Sequence, residues 1–146
     1  MDLIRVDEES IDLQQLVNAV KTPSAGAVTT FLGCTRDSFQ GKAVVSLSYE
    51  AYPEMAVRQL QRICSETRLK FKDILNIAIV HRIGLVPVME DSVAICVSSA
   101  HRHVSLQATG ILIDELKSSC PIWKKELYAD GSCSWKENCC ASHTHH

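Results

Sequence analysis

The sequence has no long hydrophobic run and no excess of charge of one sign. Its 146 residues contain 15 lysines and arginines against 17 aspartates and glutamates, a formal net charge of −2. This balance argues against a surface coated with basic charge for nucleic acid, but leaves room for a local basic pocket. No apolar stretch approaches the ~20 residues of a membrane span, and the acidic segment from Met1 to Glu9 lacks the hydrophobic core of a signal peptide. We therefore expect a cytosolic protein.

The seven cysteines lack the regular spacing of a secreted disulfide framework, and their number is odd. We expect reduced thiols, with Cys64 and Cys96 acting as small hydrophobic residues on apolar faces. Near the C-terminus, Cys139 and Cys140 lie close to three histidines, but they lack a paired CxxC spacing. The sequence therefore predicts no metal site and no cofactor.

Hydrophobic spacing predicts the order α, β, β, α, β, β, α, followed by an extended end. Ser10 can cap the first helix, and Pro53 suits the first turn of the second, whose apolar stripe includes Met55. The third helix is predicted from His101 to about Ser119, because Pro121 blocks its continuation. This is an α+β arrangement in a single domain, residues 1–136, with a flexible tail, residues 137–146.

Basic residues follow several of the predicted structural breaks. Arg36 lies in a loop after a strand, where a solvated arginine is the common alternative. His101 and Arg102 lie at the start of the long helix, where backbone N–H groups and the helix dipole form an anion site that arginine can complete. An ordinary surface pair is the alternative there. His81-Arg82 resembles this pair but follows a strand, so it carries less weight.

Two lysines flank Pro121. Lys117, in a last helical turn, ordinarily does no more than face the helix dipole, and Lys124 belongs to a Lys-Lys-Glu run of a kind that is commonly solvated. The chain can, however, double back at Pro121 and bring both amines to one pocket. Trp123 could then act as an apolar wall that lowers the pKa of an amine.

These features together resemble the large, catalytic subunit of molybdopterin synthase. The resemblance covers about residues 25–136, in the family's order. It is carried by Gly26-Ala27, Phe31-Leu32-Gly33, Arg36, Tyr49-Glu50-Ala51-Tyr52, Met55-Ala56, His81-Arg82-Ile83-Gly84, Ser98-Ser99-Ala100-His101-Arg102, Asp114-Glu115-Leu116-Lys117, Pro121-Ile122-Trp123-Lys124-Lys125-Glu126, Gly131 and Trp135. The sequence departs from the pattern at Met89, where a turn glycine is expected, and at Phe71, where tryptophan is common.

The resemblance implies an α/β hammerhead fold with an additional antiparallel sheet. It also implies a central homodimer within a heterotetramer, in which a small ubiquitin-like subunit inserts its thiocarboxylated Gly-Gly tail into each active site. Sulfur would pass to cyclic pyranopterin monophosphate (precursor Z), forming the dithiolene of molybdopterin. Lys117 and Lys124 would be the catalytic amines, and the residues that bind substrate would be Arg36, His101, Arg102, Lys117, Lys124, Lys125 and Glu126.

Two other functions fit parts of the sequence. Cys34 lies two residues before Arg36, where a guanidinium favours a thiolate, so a cysteine-persulfide sulfurtransferase is one alternative. A non-catalytic module that binds a partner's C-terminal tail is the other, since it would account for a basic pocket. An essential thiol would indicate the first, and a lack of turnover the second.

Overall fold

The computed structural model describes residues 1–137, which form three helices and two sheets. The elements, in chain order, are β1 (Asp2–Asp7), α1 (Leu13–Val20), β2 (Ala27–Cys34), β3 (Ser38–Phe39), β4 (Lys42–Ala51), α2 (Pro53–Lys70), β5 (Ile74–Arg82), β6 (Gly84–Pro87), β7 (Asp91–Ser99), α3 (Arg102–Ser119), β8 (Ile122–Tyr128) and β9 (Cys133–Glu137). The α+β class that the sequence predicted is confirmed.

The first sheet has the strand order β1-β5-β7-β2. β1 is parallel to β5, and the other pairs are antiparallel. Both faces of this sheet are covered, because α1 packs on one side and α2 and α3 pack on the other. The central strands β5 and β7 are therefore almost entirely buried, and each contains a continuous apolar run, residues 77–80 and 93–97.

The second sheet runs β3-β4-β8-β9, and β6 also pairs with β4. The chain passes from one sheet to the other within a single residue, since β5 ends at Arg82 and β6 begins at Gly84. Gly84 has φ +83°, a left-handed conformation open to glycine. A Cβ at this position would also lie 2.7 Å from a carboxylate oxygen of Glu8. This tight passage sets the end of β5 beside β4.

The start of α3 is held by a close approach of two backbones. The Gly26 N–H donates a hydrogen bond of 3.0 Å to the Ser99 carbonyl. A Cβ on Gly26 would overlap the carbonyl oxygen of Ala100, the residue just before His101. Glycine is needed here for space, and the contact fixes where α3 begins.

Several sequence predictions need correction. α1 is capped by Asp12 and not by Ser10, because the Asp12 carboxylate accepts a hydrogen bond of 3.2 Å from the Gln15 N–H. Met55 is 51% exposed and does not belong to the buried stripe of α2. β1 was not predicted, and the extended end after Pro121 is a hairpin of two strands, β8 and β9.

Other predictions agree with the structure. α2 begins at Pro53, and α3 ends at Ser119, just before Pro121. Met89 has φ +74°, a conformation that favours the glycine expected there. Within residues 1–137, the helices are not long and apolar enough for any of them to cross a membrane. The predicted tail, apart from residue 137, lies outside the described residues, as do Cys139 and Cys140.

Candidate active site

The two lysines that flank Pro121 approach the same buried side chain. Lys117 lies in the last turn of α3, and Lys124 lies on β8 directly opposite Tyr49 of β4. Burial lowers the pKa of His81, at the end of β5, and both ammonium groups add electrostatically to this shift. The chain thus turns at Pro121 from α3 into β8, and both amines lie within electrostatic range of the same buried ring.

Lys117 occupies a partly dry position. Its side chain reaches solvent, yet burial among the surrounding protein atoms lowers the pKa of the ammonium below its ordinary value of 10.5. The lowered pKa makes the neutral amine easier to reach than in a solvated lysine, a property that general acid–base chemistry requires.

Tyr49 and Glu126 lie on the inward face of the second sheet with Lys124. Glu126 is 3% exposed and pairs across the sheet with Leu47, two residues from Tyr49. Burial raises the pKa of the Tyr49 phenol, a hydrogen bond to Ser92 opposes the shift, and the Glu126 carboxylate adds to it. Tyr49 is therefore a neutral phenol at physiological pH, and Glu126 lies two residues from Lys124 on the same face of β8.

The neighbours of Lys124 on β8 lie on the other face of the strand, since side chains alternate. Trp123 pairs with Glu50 and sits edge-on to Tyr52, with ring centroids 6.5 Å apart. Trp123 therefore lies on the face of β8 opposite to Lys124. Lys125 points to the same outer face, where its ammonium lies 5.1 Å from the ring centroid of Trp135.

Arg36 lies at the same end of the first sheet as His81. It follows β2, and the last residue of β2 pairs with Asp91 at the start of β7. Two residues further along β7, Val93 pairs with His81. The adjacent Thr35 is 3% exposed, and its hydroxyl donates to the Val86 carbonyl at 3.2 Å. Arg36 is thus an exposed guanidinium on an anchored loop.

His101 and Arg102 lie at the opposite end of α3 from Lys117. Fifteen positions separate Arg102 from Lys117, about 22 Å along the axis at ~1.5 Å per residue. Both side chains are exposed, and in the described part of the chain His101 does not cap the first turn with its own side chain. The backbone N–H groups and the Arg102 guanidinium are thus available to an anion. One chain does not bring this pair to the lysines.

A cleft of about 600 Å³ opens beside the turn at Ile83 and Gly84. It is lined partly by the aromatic rings of Tyr52 and Trp123, and also by the carboxylates of Glu8 and Glu50. Because its charged side chains are acidic, this cleft suits an anionic ligand poorly.

The buried cysteines are inert thiols. Burial raises the pKa of Cys64 to about 12 and of Cys96 to about 11, so both are protonated at neutral pH. Cys34 and Cys133 are exposed.

His81 and Tyr49 are the site residues to which sequence reasoning gave little or no weight. Their ring centroids lie 4.9 Å apart with planes at 75°, although 32 positions separate them in the chain. His81 was noted in the sequence only as part of the His81-Arg82 pair and of the family resemblance, and its contact with Tyr49 depends on pairing between distant strands.

Comparison with known proteins gives consistent results. The family model described as MoaE protein matches residues 6–119. The bovine molybdopterin synthase catalytic subunit is 48% identical over 137 residues, which cover 94% of this chain and 72% of the bovine protein. Molybdopterin synthase catalytic subunit 1 of Aedes aegypti is 49% identical over 140 residues, covering 94% and 90%.

Solved structures share the architecture. The molybdopterin synthase structure from Staphylococcus aureus superposes with a TM-score of 0.85 at 34% identity, covering 90% of this chain and 94% of that one. A complex of subunits 1 and 2 of the molybdopterin-converting factor from Helicobacter pylori gives 0.72 at 19% identity, covering 87% and 86%. The second likeness supports the fold alone.

Proposed function

Because this chain belongs to the MoaE protein family, we propose that it acts as the catalytic subunit of a molybdopterin synthase. In this reaction sulfur passes from the thiocarboxylated C-terminus of a small subunit to cyclic pyranopterin monophosphate, and the product carries the dithiolene of molybdopterin. The observation that supports the assignment to residues is that Lys117, in the last turn of α3, and Lys124, opposite Tyr49 on β8, both act electrostatically on the buried His81.

The two lysines fit the chemical step. Formation of each C–S bond and departure of oxygen require protons to be moved and developing negative charge to be stabilised. Lys117, with its lowered pKa, suits proton transfer, whereas Lys124, beside the buried Glu126, suits charge stabilisation and orientation. Sulfur arrives on the partner, so this reaction needs no cysteine of the chain itself.

The basic residues far from the lysines fit the binding of the substrate phosphate. A pterin monophosphate is much shorter than the roughly 22 Å between Arg102 and Lys117. We therefore propose that His101 and Arg102 of one copy hold the phosphate of a substrate that reacts at the lysines of a second copy. Arg36, at the lysine end of the sheet, would assist. A central homodimer provides such an arrangement.

The partner of this dimer is a small ubiquitin-like subunit that ends in Gly-Gly and carries the thiocarboxylate. The solved complex of the two Helicobacter pylori subunits is a precedent for such an assembly. The thiocarboxylate is an anion, so the ammonium groups of Lys117 and Lys124 attract it. We propose the cytosol as the location, and Lys125 as a rim residue of the same assembly.

The test is reconstitution. The purified chain is mixed with a thiocarboxylated small subunit and cyclic pyranopterin monophosphate, and dithiolene product is measured in a single turnover. We expect product only with the complete mixture, and a homodimer when the chain is alone. Turnover by the chain with sulfide alone at the rate of the full complex would contradict the proposal. A chain that binds the tail without turnover would indicate a binding module.

A further inference from the structure

Arg82 is a buried arginine that the proposed chemistry has not used. It is the last residue of β5 and is 8% exposed. Its Nε is buried without a hydrogen-bond partner among the described residues, so this part of the guanidinium has lost water without compensation. A buried ion pair of this kind is weak evidence for a purely stabilising role. The contacts of its two terminal nitrogens indicate what else the guanidinium does.

The guanidinium binds both ends of the segment from β6 to the start of β7, residues 85–91, which we call the 85–91 turn. One terminal nitrogen, Nη1, donates to the Glu90 carboxylate at 2.9 Å and to the Asp91 carbonyl at 3.5 Å. The other, Nη2, donates to the Leu85 carbonyl at 3.3 Å. Because Arg82 belongs to β5, which lies between β1 and β7, these hydrogen bonds attach the turn to the first sheet.

The 85–91 turn contains a strained residue. The Glu90 N–H donates to the Pro87 carbonyl at 3.1 Å, which closes a turn of four residues. The third of these, Met89, has φ +74° and is 86% exposed. A positive φ at this position favours glycine, and another residue keeps it only where the surrounding structure holds it. Since the Met89 side chain is mostly in solvent, the hydrogen bonds of the backbone must hold this conformation.

These hydrogen bonds join the turn to the loop that carries Arg36. The Met89 N–H donates to the Thr35 carbonyl at 3.0 Å, and the Thr35 N–H donates to the Glu90 carbonyl at 3.1 Å. The Thr35 hydroxyl donates to the Val86 carbonyl at 3.2 Å. The N–H, the carbonyl and the hydroxyl of Thr35 are thus all bonded to the 85–91 turn, and Arg36 is the next residue.

We propose that Arg82 is a positioning residue for substrate binding. It fixes the 85–91 turn and, through Thr35, the backbone from which the Arg36 guanidinium reaches the substrate phosphate. An exposed arginine has many rotamers, so a fixed backbone limits the volume that the guanidinium samples and the entropy that it loses on binding. Arg82 itself does not need to touch substrate. The role in binding rests on the proposed function, whereas the mechanical link from Arg82 to Thr35 does not.

Hydrogen–deuterium exchange tests the mechanical link without turnover. The amides of Thr35 and Met89 should exchange faster in Glu90→Ala than in the unmodified chain, by on the order of 10-fold. The chain offers a matched control near the start of β5, where Arg68 binds the Asp2 carboxylate at 2.6 Å and three backbone carbonyls. Asp2→Ala removes this equivalent pair and should leave both amides unchanged. Unchanged exchange in Glu90→Ala would overturn the proposal.

Steady-state kinetics of the reconstituted complex test the role in substrate binding. Glu90→Ala should raise KM for the pterin substrate by about 5-fold with kcat nearly unchanged. Glu90→Gln keeps an acceptor oxygen for Arg82, so its KM should stay within about 2-fold of the unmodified value. The decisive variant combines Glu90→Ala with Arg36→Ala. Its KM should equal that of Arg36→Ala alone, because without Arg36 the turn has no guanidinium to position.

If Glu90→Ala raised KM just as much in the Arg36→Ala background, the proposal would be refuted, because the pair would then act on substrate directly. An equal rise in Asp2→Ala would also refute it, since a general loss of stability would explain both. Arg82→Met loses every contact to the turn and should raise KM more than Glu90→Ala does. If Arg82→Met does not fold, Glu90→Ala decides. An unmodified complex that makes no product would refute the proposed function instead, and the exchange measurement would still test the link.

Discussion

Acidification should destabilise this protein through His81 over a defined range of pH. The pKa of His81 is about 4 in the folded chain, against an ordinary value of 6.5. Above pH 6.5 neither state is protonated, and His81 contributes no pH dependence. Between 6.5 and 4 the unfolded chain binds the extra proton, so the free energy of unfolding falls by about 1.4 kcal/mol per pH unit. The loss levels off near pH 4, at about 3 kcal/mol.

Urea unfolding of the unmodified chain and of His81→Gln, at steps from pH 7.5 to pH 4, measures this loss. Carboxylates titrate in both proteins, so their contribution cancels in the difference between the two free energies of unfolding. We expect the unmodified chain to lose about 3 kcal/mol relative to the variant over this range. His103→Gln, at an exposed position on α3, is the matched control and should show no such change. A constant difference between the chain and His81→Gln would refute the reasoning.

The remaining predictions concern catalysis. Lys117→Ala should fold, dimerise and bind the small subunit, yet lose nearly all product in a single turnover. Lys117→Arg should not restore the activity, because a guanidinium does not readily release a proton. Near-normal turnover by Lys117→Ala would remove Lys117 from the site. Arg102→Ala should raise KM more than it lowers kcat, since anion holding acts in ground and transition states alike, and steady-state kinetics would expose the reverse. Cys34→Ser, and separately removal of residues 138–146, should leave kcat/KM largely intact; a loss above about 100-fold, roughly 2.7 kcal/mol, in a folded variant would favour a cysteine mechanism.

The helices were predictable because their signals are local. Pro53 and Pro121 constrain the backbone wherever they occur, and the observed ends of α2 and α3 follow them. The cap of α1 was misplaced because Ser10 and Asp12 are both good capping residues two positions apart. Only the backbone geometry decides which of them reaches a free N–H.

The strand that carries Lys124 was predicted only as part of an extended end, and there is a physical reason for this. β8 directs Lys124 and Glu126 inward, at positions where a strand that only built a core would place apolar residues. The hydrophobic alternation is therefore broken where the candidate chemistry lies. The position of His81 was likewise hard to predict, because its contact with Tyr49 depends on pairing between distant strands. The resemblance includes His81, but it assigned a role to the lysines and none to the histidine.

The contact between Gly26 and Ala100 sets a limit on sequence variation far from the lysines. Even the methyl group of alanine at position 26 would collide with the carbonyl that precedes His101. No standard residue other than glycine fits there without displacing that carbonyl and, with it, the first turn of α3. Under the proposed role of Arg102 in holding substrate, a substitution of Gly26 is expected to weaken substrate affinity, although Gly26 itself is not proposed to contact substrate. A variant at position 26 would therefore resemble Arg102→Ala in its raised KM. Its defect would nevertheless come from a steric clash within the fold, as in a substitution of a core residue.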